Sequence, residues 1–328
     1  MTSALTGANV LITGGAGFVG SYIADLALDQ GASQVTVIDN FVRGSLDNLR
    51  LAQTSERLTI VQGDIADREL VDQVTRGVDF VFHQAALRIT HCAAEPQRAV
   101  NVMMNGTQNV LDAAVQHKVQ RVLAASSASV YGEPSYLPMD ERHPFNNRTL
   151  YGALKIANEQ MLRCYREMYG LRYVAIRPFN VYGPRMDAHG AYTEVMIRWL
   201  ERLGKGEPPI IFGDGFQTMD FVYVRDLAEA YLQAALADVD DEVFNIGSGT
   251  ETSLLQLCQI LCESSNHPDL QPEFQPPRAV NPVSRRLADL TRARDALGFE
   301  PTTSLAEGLT NLVEWYGSLE ARPLGNAK

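Results

Sequence analysis

A doubly wound parallel α/β sheet with a smaller α/β lobe is the fold this sequence predicts, and three observations carry it. The first is Val10-Leu11-Ile12-Thr13-Gly14-Gly15-Ala16-Gly17-Phe18-Val19-Gly20, an apolar run that ends in a glycine-rich turn and opens a helix. The second is Gln34-Val35-Thr36-Val37-Ile38-Asp39-Asn40, an apolar run that closes on an acid about 20 residues past the turn. The third is the alternation of buried-strand and helical patterns as far as Pro184.

The glycine turn comes first. Gly14 permits a tight turn, Gly17 lets the backbone approach a pyrophosphate, and Gly20 lets the helix pack close to the strand. The helix N-terminus, with Phe18 and Val19 in its first turn, offers N–H groups and a positive dipole end to phosphates. The spacing is G-x-x-G-x-x-G rather than the commoner G-x-G-x-x-G. A turn without ligand is the plain alternative, and the strand before and the helix after argue against it.

The second strand ends at Asp39, where a carboxylate can bond ribose hydroxyls and repel a 2′-phosphate, so NAD is favoured over NADP. Arg43 nearby is the opposing signal, and a strand-end turn is the non-ligand reading of Asp39. Leu58 to Ile65 is a third strand, with Asp64 placed to reach an adenine amino group. Val78 to Ala86 is a fourth. Its Ala85 and Ala86 leave room for a ligand, and its His83 reads as a packed strand-end histidine. Arg98 to His117 carries one helical apolar stripe. Arg121 to Gly132 is a fifth strand running into a serine-rich end. Tyr151 opens a long helix, and Tyr173 to Pro184 is a sixth strand and loop.

After residue 184 the texture is richer in turns. We expect a cofactor domain over 1–183 and a mainly substrate-binding lobe over 184–328, with a strand and helix near 220–247 rejoining the first domain. Helices are expected over 252–264, 288–296 and 304–317.

The chain has 328 residues, 28 basic and 39 acidic, a net charge of −11 that argues against a general nucleic-acid binder. Four cysteines lack zinc-knuckle spacing, and no metal is expected; Cys258 and Cys262 share a helix face as small buried residues. No run reaches membrane-spanning length, and a cytoplasmic protein with reduced thiols is expected.

Tyr151 and Lys155 stand at i and i+4 on one helix face. A nearby ammonium favours tyrosinate, so Tyr151 is expected to have a lowered pKa and to act as general acid and base. Ser127, with Ser126 and Ser129 beside it, is placed to bond the same substrate oxygen.

These motifs together resemble an extended short-chain dehydrogenase/reductase of the NAD-dependent nucleotide-sugar epimerase/dehydratase family. The resemblance runs over nearly the whole chain. It takes in Thr13 to Gly20, Asp39, Gly63-Asp64-Ile65, His83 to Ala86, Ser126 to Gly132, Tyr151 with Lys155, Arg177 to Pro184, and Gly213-Asp214-Gly215 through Asp220 to Asp226. It implies catalysis by Tyr151, Lys155 and Ser127. It implies NAD contacts from Gly14, Gly17, Phe18, Val19, Gly20, Asp39, Asn40, Asp64, Ile65, Gln84, Ala85, Ala86, Arg88, Ser126, Tyr151, Lys155 and Pro178. Ser127, Asn180, Phe212 and Arg278 would hold a nucleotide sugar, with UDP implied by the resemblance alone. A homodimer is implied through the Val100–His117 and Tyr151–Arg166 helices.

Two positions depart from the pattern. Met219 stands where many relatives carry an arginine for the diphosphate, with Arg278, Arg285 or Arg286 as compensating cations. Met103 stands where many carry an asparagine near the cofactor. A 4,6-dehydratase carries an Asp-Glu pair where Ala128 and Ser129 stand, and decarboxylases usually carry glutamate where Ser129 stands. The Ser-Ala-Ser-Val-Tyr-Gly run is most similar to 4-epimerases. These interconvert C4 epimers by transient oxidation to a 4-keto sugar and re-reduction on the opposite face. The alternatives are a dehydratase, or a decarboxylase or C5-epimerase that uses groups such as Glu133 and His91, and a non-catalytic NAD-binding regulator.

Overall fold

The computed structural model describes residues 5–188, 194–277 and 283–320. Its elements, in order, are β1 (Asn9–Thr13), α1 (Phe18–Asp29), β2 (Gln34–Asp39), β3 (Leu58–Gln62), α2 (Arg68–Thr75), β4 (Phe80–His83), α3 (Ile89–Ala94) and α4 (Pro96–Val100). A π-helical segment (Asn101–Gly106) leads into α5 (Thr107–Gln116), followed by β5 (Arg121–Ala125), α6 (Leu150–Tyr169), β6 (Tyr173–Pro178) and β7 (Asn180–Tyr182). Then come α7 (Val195–Leu203), β8 (Ile210–Phe212), β9 (Thr218–Tyr223), α8 (Val224–Leu236), β10 (Glu242–Ile246), β11 (Glu251–Ser253), α9 (Leu254–Ser264), β12 (Glu273–Gln275), α10 (Thr291–Leu297) and α11 (Leu305–Glu320).

Seven strands form one parallel sheet in the order β10-β6-β5-β4-β1-β2-β3. Near-continuous apolar strands such as Val10-Leu11-Ile12 and Val174-Ala175-Ile176 fit this position, because helices bury both faces. On one face Ile23, Ala24 and Ala27 of α1 pack with Leu227, Ala228 and Tyr231 of α8. On the other, Val71, Val110, Leu111, Leu154 and Leu162 carry the packing of α2, α5 and α6. Strand order reverses at β1, which lies between β2 and β4, and ligands bind at the carboxyl ends of strands at such a switch point.

A third core lies among the later elements, around Trp199, Leu200, Ile211, Leu257, Cys258 and Cys262. It is flanked by the three-stranded sheet β11-β9-β7 and the pair β12-β8. β10 returns to the large sheet beside β6, so the chain crosses between the two regions more than once. Two buried aspartates pin those crossings. Asp220 accepts hydrogen bonds from the backbone N–H groups of Ser248 (2.6 Å), Gly249 (3.0 Å) and Ala288 (3.1 Å). Asp226 accepts from the backbone and hydroxyls of Thr302 and Thr303.

The helical stripe expected over Arg98–His117 is interrupted. The structure places α4, the π-helical turn and α5 there. The Thr107 hydroxyl donates back to Met103 O at 2.7 Å within that turn.

Candidate active site

A cleft of about 580 Å³ runs along the carboxyl ends of β1, β2, β4, β5 and β6. Gly14 and Ala85 meet at its floor, on either side of the switch point. Gly14 has φ +66, and a Cβ there would lie 2.8 Å from Ala85 N, so both the turn and the close approach require glycine. Gly17 caps α1 without a side chain, and the first turn of the helix carries no acid, which leaves its N–H groups and dipole open to an anion.

Asp39 is buried at the end of β2. It accepts from Ala16 N at 3.0 Å and Phe41 N at 2.8 Å, and burial raises its pKa against those bonds. Asn40 donates to Asp64 at 2.8 Å, tying the ends of β2 and β3 together. Arg43 pairs with Asp187 at 3.3 Å and Arg88 with Glu194 at 3.6 Å, so both of these cleft-lining arginines are engaged by acids.

Thr149 caps α6 by accepting from Gly152 N at 3.1 Å, and this sets the helix start just ahead of Tyr151. Lys155 follows one turn later. Its ammonium lies 5.8 Å from the Tyr151 ring centroid and donates to Ala125 O at 2.5 Å. Ser127 begins the short turn after β5. Its hydroxyl accepts from Ser129 N at 3.1 Å and sits beside the Tyr151 phenol, near enough to favour its ionised form.

The electrostatics correct one expectation. Burial raises the Tyr151 pKa; Ser127 and the charges of Arg43 and Arg88 pull it down, and Cys92 pushes it up. Lys155 is not the cation that lowers it. Its Nζ is turned to Ala125 O, and burial pushes its own pKa down to about 8.

The cleft lining includes every residue the sequence assigned to NAD, from Gly14 through Pro178, together with Ser127 and Asn180. Asn180 donates to Asp220 O at 3.0 Å, which fixes it beside β9. Phe212 is not among the lining residues. It ends β8, where Gln275 of β12 pairs with it, and the cleft does not extend to that edge. Arg278 lies outside the described residues. Met103 is fully buried against Cys92, with sulfurs 3.7 Å apart, rather than at the cleft wall. Arg185 also lines the cleft but binds Asp25 at 2.7 Å and stacks on Tyr22. Sequence spacing held no signal for Asp187, Glu194 or Trp315, which reach the cleft from distant segments.

The fold and the site match one family model, described as the NAD dependent epimerase/dehydratase family, over residues 10–247. The chain belongs to this family. It is 37% identical over 309 residues to the UDP-glucose 4-epimerase of Mycolicibacterium smegmatis, covering 93% of this chain and 97% of that one. Among solved structures it is similar to the UDP-N-acetylglucosamine 4-epimerase of Methanobrevibacter ruminantium in complex with UDP-N-acetylmuramic acid. That likeness has a TM-score of 0.90 and 33% identity, over 96% of this chain and 99% of that one. It is similar also to the UDP-glucose 4-epimerase of Thermotoga maritima with UDP-glucose, with a TM-score of 0.89 and 34% identity, over 95% and 99% of the two chains.

The family is NAD dependent, and this cleft fits that cofactor. The open α1 terminus suits a pyrophosphate, and the Gly14 approach leaves the backbone free of a Cβ. Asp39 presents a carboxylate at the end of β2 where a ribose would lie. Among the described residues, no helix is long and apolar enough to cross a membrane.

Proposed function

We propose that this epimerase/dehydratase family member interconverts the C4 epimers of a UDP-hexose. The observation that carries the reading is Ser127 lining the cleft beside Tyr151, followed in sequence by Ala128 and Ser129 rather than two carboxylates. Ala128 is buried and Ser129 offers a hydroxyl, so neither provides the acid and base that elimination from C5–C6 needs.

Bound NAD supplies the acceptor and donor for oxidation and re-reduction at C4. Tyr151 takes the proton of the C4 hydroxyl and returns it, and Ser127 orients that oxygen. Lys155 holds positive charge beneath Tyr151 and would bond the nicotinamide ribose when NAD is bound. Asp39 favours an unphosphorylated adenosine ribose, and Asp187 holds Arg43 at 3.3 Å. Asn180 faces the nucleotide. Arg285 is committed to Glu251, at 2.5 and 2.9 Å. Arg286 is buried, its backbone N–H bonds Thr218 O next to Met219, and its Nε has no hydrogen-bond partner among the described residues. Of the two described candidates we assign Arg286 as the cation that replaces the arginine missing at Met219.

We further propose a cytoplasmic homodimer. Ala153, Ala157, Gln160 and Cys164 form one outward face of α6, with Ala153, Gln160 and Cys164 exposed. Sedimentation should give a dimer, and Cys164→Arg a monomer.

The deciding experiment incubates the purified protein with UDP-glucose, UDP-N-acetylglucosamine and UDP-glucuronic acid without added NAD, and identifies products by NMR. A C4 epimer is expected. A 4-keto-6-deoxy sugar or a pentose would overturn the reading in favour of elimination or decarboxylation.

A further inference from the structure

We propose that Glu159 is a positioning residue of this reaction: a buried carboxylate that locks the serine-bearing strand end to α6 and faces Lys155 as its counter-charge. The inference rests on the epimerase reading for its catalytic meaning. Its geometry stands independently of that reading.

Tyr151, Lys155 and Glu159 follow one another at i, i+4 and i+8 on α6, so they stack along one helix face. Glu159 is 3% exposed. Its Oε1 accepts from the Ser126 hydroxyl and from Arg177 Nε at 2.8 Å, and its Oε2 accepts from Arg177 Nη2 at 2.6 Å. Arg177 sits on β6 and donates through Nη1 to the Tyr131 hydroxyl at 2.7 Å and to Glu141 O at 3.1 Å. Tyr131 passes its own hydrogen to Asn245 of β10 at 2.6 Å. One carboxylate therefore joins α6, the end of β5, β6 and, through Tyr131, β10. Ser126 is the chain neighbour of Ser127, and Ser127 lines the cleft beside Tyr151. The spacing between the helix that carries Tyr151 and Lys155 and the strand end that carries Ser127 passes through Glu159.

The plainer reading is that Glu159 merely neutralises Arg177, and buried pairs of that kind are often replaceable by apolar residues. Two observations go further. Oε1 is shared between Arg177 and Ser126, so the carboxylate bonds the active strand end directly. Lys155 and Glu159, with Ser126, Asn158 and His83, also line one small internal cavity behind the active-site wall. Lys155 and Glu159 thus line the same enclosed space, where charge is less screened than at the surface.

The groups that face Lys155 are Tyr151 from its own helix, Cys92 from α3, His83 from β4, and Glu159. Burial pushes His83 down to about 3 and pushes the Cys92 thiol up, so both are neutral at neutral pH. Cys92 and Glu159 both raise the Lys155 pKa against its burial, and with the thiol neutral the carboxylate is the standing negative charge among them.

The test uses the full chain with two variants. Glu159→Gln keeps the shape and an acceptor for Ser126 but removes the charge. Glu159→Gln with Arg177→Met also removes the guanidinium that would be left unpaired. The pH dependence of turnover and of NAD binding is measured beside thermal stability. Loss of the counter-charge lowers the Lys155 pKa, so the alkaline limb moves to lower pH. The expected result is a shift of about one unit in Glu159→Gln, or about a tenfold loss at a pH above the limb, and a smaller shift the same way in the double variant, where a cation leaves with the anion. The double variant should melt close to the unaltered protein. An unmoved limb in both variants, with only melting changed, overturns the proposal. If the unaltered protein epimerises none of the sugars, the activity reading fails, and the NAD-binding profile still decides the role of Glu159.

Discussion

Nδ1 of His83 lies 2.8 Å from the Thr13 hydroxyl oxygen, and the hydrogen on that bond has one direction. Thr107 spends its hydroxyl hydrogen on Met103 O at 2.7 Å, so it must accept from Nε2 of His83 at 3.0 Å. Nε2 therefore carries the ring hydrogen, Nδ1 is bare, and Thr13 donates to it. Thr13 in turn accepts from Ala85 N at 3.2 Å. The chain runs from the loop after β4, through the strand that ends in the glycine turn, to the π-helical segment. A neutral imidazole is built in behind the wall of the cleft.

That chain makes stability depend on acid. Burial lowers the His83 pKa from 6.5 to about 3, so the unfolded chain takes up its proton first as pH falls. The contribution of His83 is complete above the unfolded pKa and is lost progressively between about pH 6.5 and 3, by about 4 kcal/mol at the lower end. Denaturant melts across this range should show the unaltered protein losing stability relative to His83→Gln as pH falls. A pH-independent difference would count against the buried neutral ring.

Tyr151→Phe removes the phenol oxygen beside Ser127 while leaving the ring to pack. Turnover should fall by roughly 10²–10⁴-fold, with NAD still bound. Ser127→Ala should cost less, about tenfold, because it withdraws one orienting hydrogen bond. Product NMR and bound-nucleotide assay check both.

Lys155 illustrates a trade of stability for function. Burial depresses its pKa from 10.5 to about 8, so holding the ammonium opposes folding wherever both states are protonated. Lys155→Met should therefore abolish turnover yet raise stability by about 2–3 kcal/mol at pH 7. The gain should shrink as pH rises from 8 towards 10.5, where the unfolded chain also loses its proton. A destabilised variant at pH 7 would show that the bond to Ala125 outweighs the buried charge.

The two neighbouring arginines should separate cleanly. Arg285 is tied to Glu251 on the surface, and Arg286 is buried, where burial lowers its pKa and Glu133 raises it. Arg286→Met should raise KM for the UDP-sugar by at least about tenfold, the scale of a lost charged hydrogen bond. Arg285→Met should leave KM nearly unchanged. Equal effects would show that the cation at Met219 comes from elsewhere.

The chemistry-bearing residues were legible wherever function is local in the chain. The glycine turn is read from spacing because the turn, the helix start and the strand are consecutive. Tyr151 and Lys155 are read from i and i+4 because a helix fixes that geometry alone. His83 was legible as a packed residue, since it ends an apolar strand. The Arg98–His117 stripe was read as one helix because a π-helical turn keeps the apolar spacing nearly intact.

What only the tertiary structure decided concerns burial and contacts between distant segments. By itself the sequence determined the parallel sheet, the glycine turn, the acid at the end of β2 and the Ser-Tyr-Lys set. The packed chain decided that Tyr151 is held up by burial, not lowered by Lys155. It paired Arg185 with Asp25, kept Phe212 away from the cleft and joined Glu159 to Arg177 and Ser126. Electrostatic shifts depend on how much water a group loses and which charges surround it. Both are set by residues far away in sequence, and spacing along the chain does not encode them.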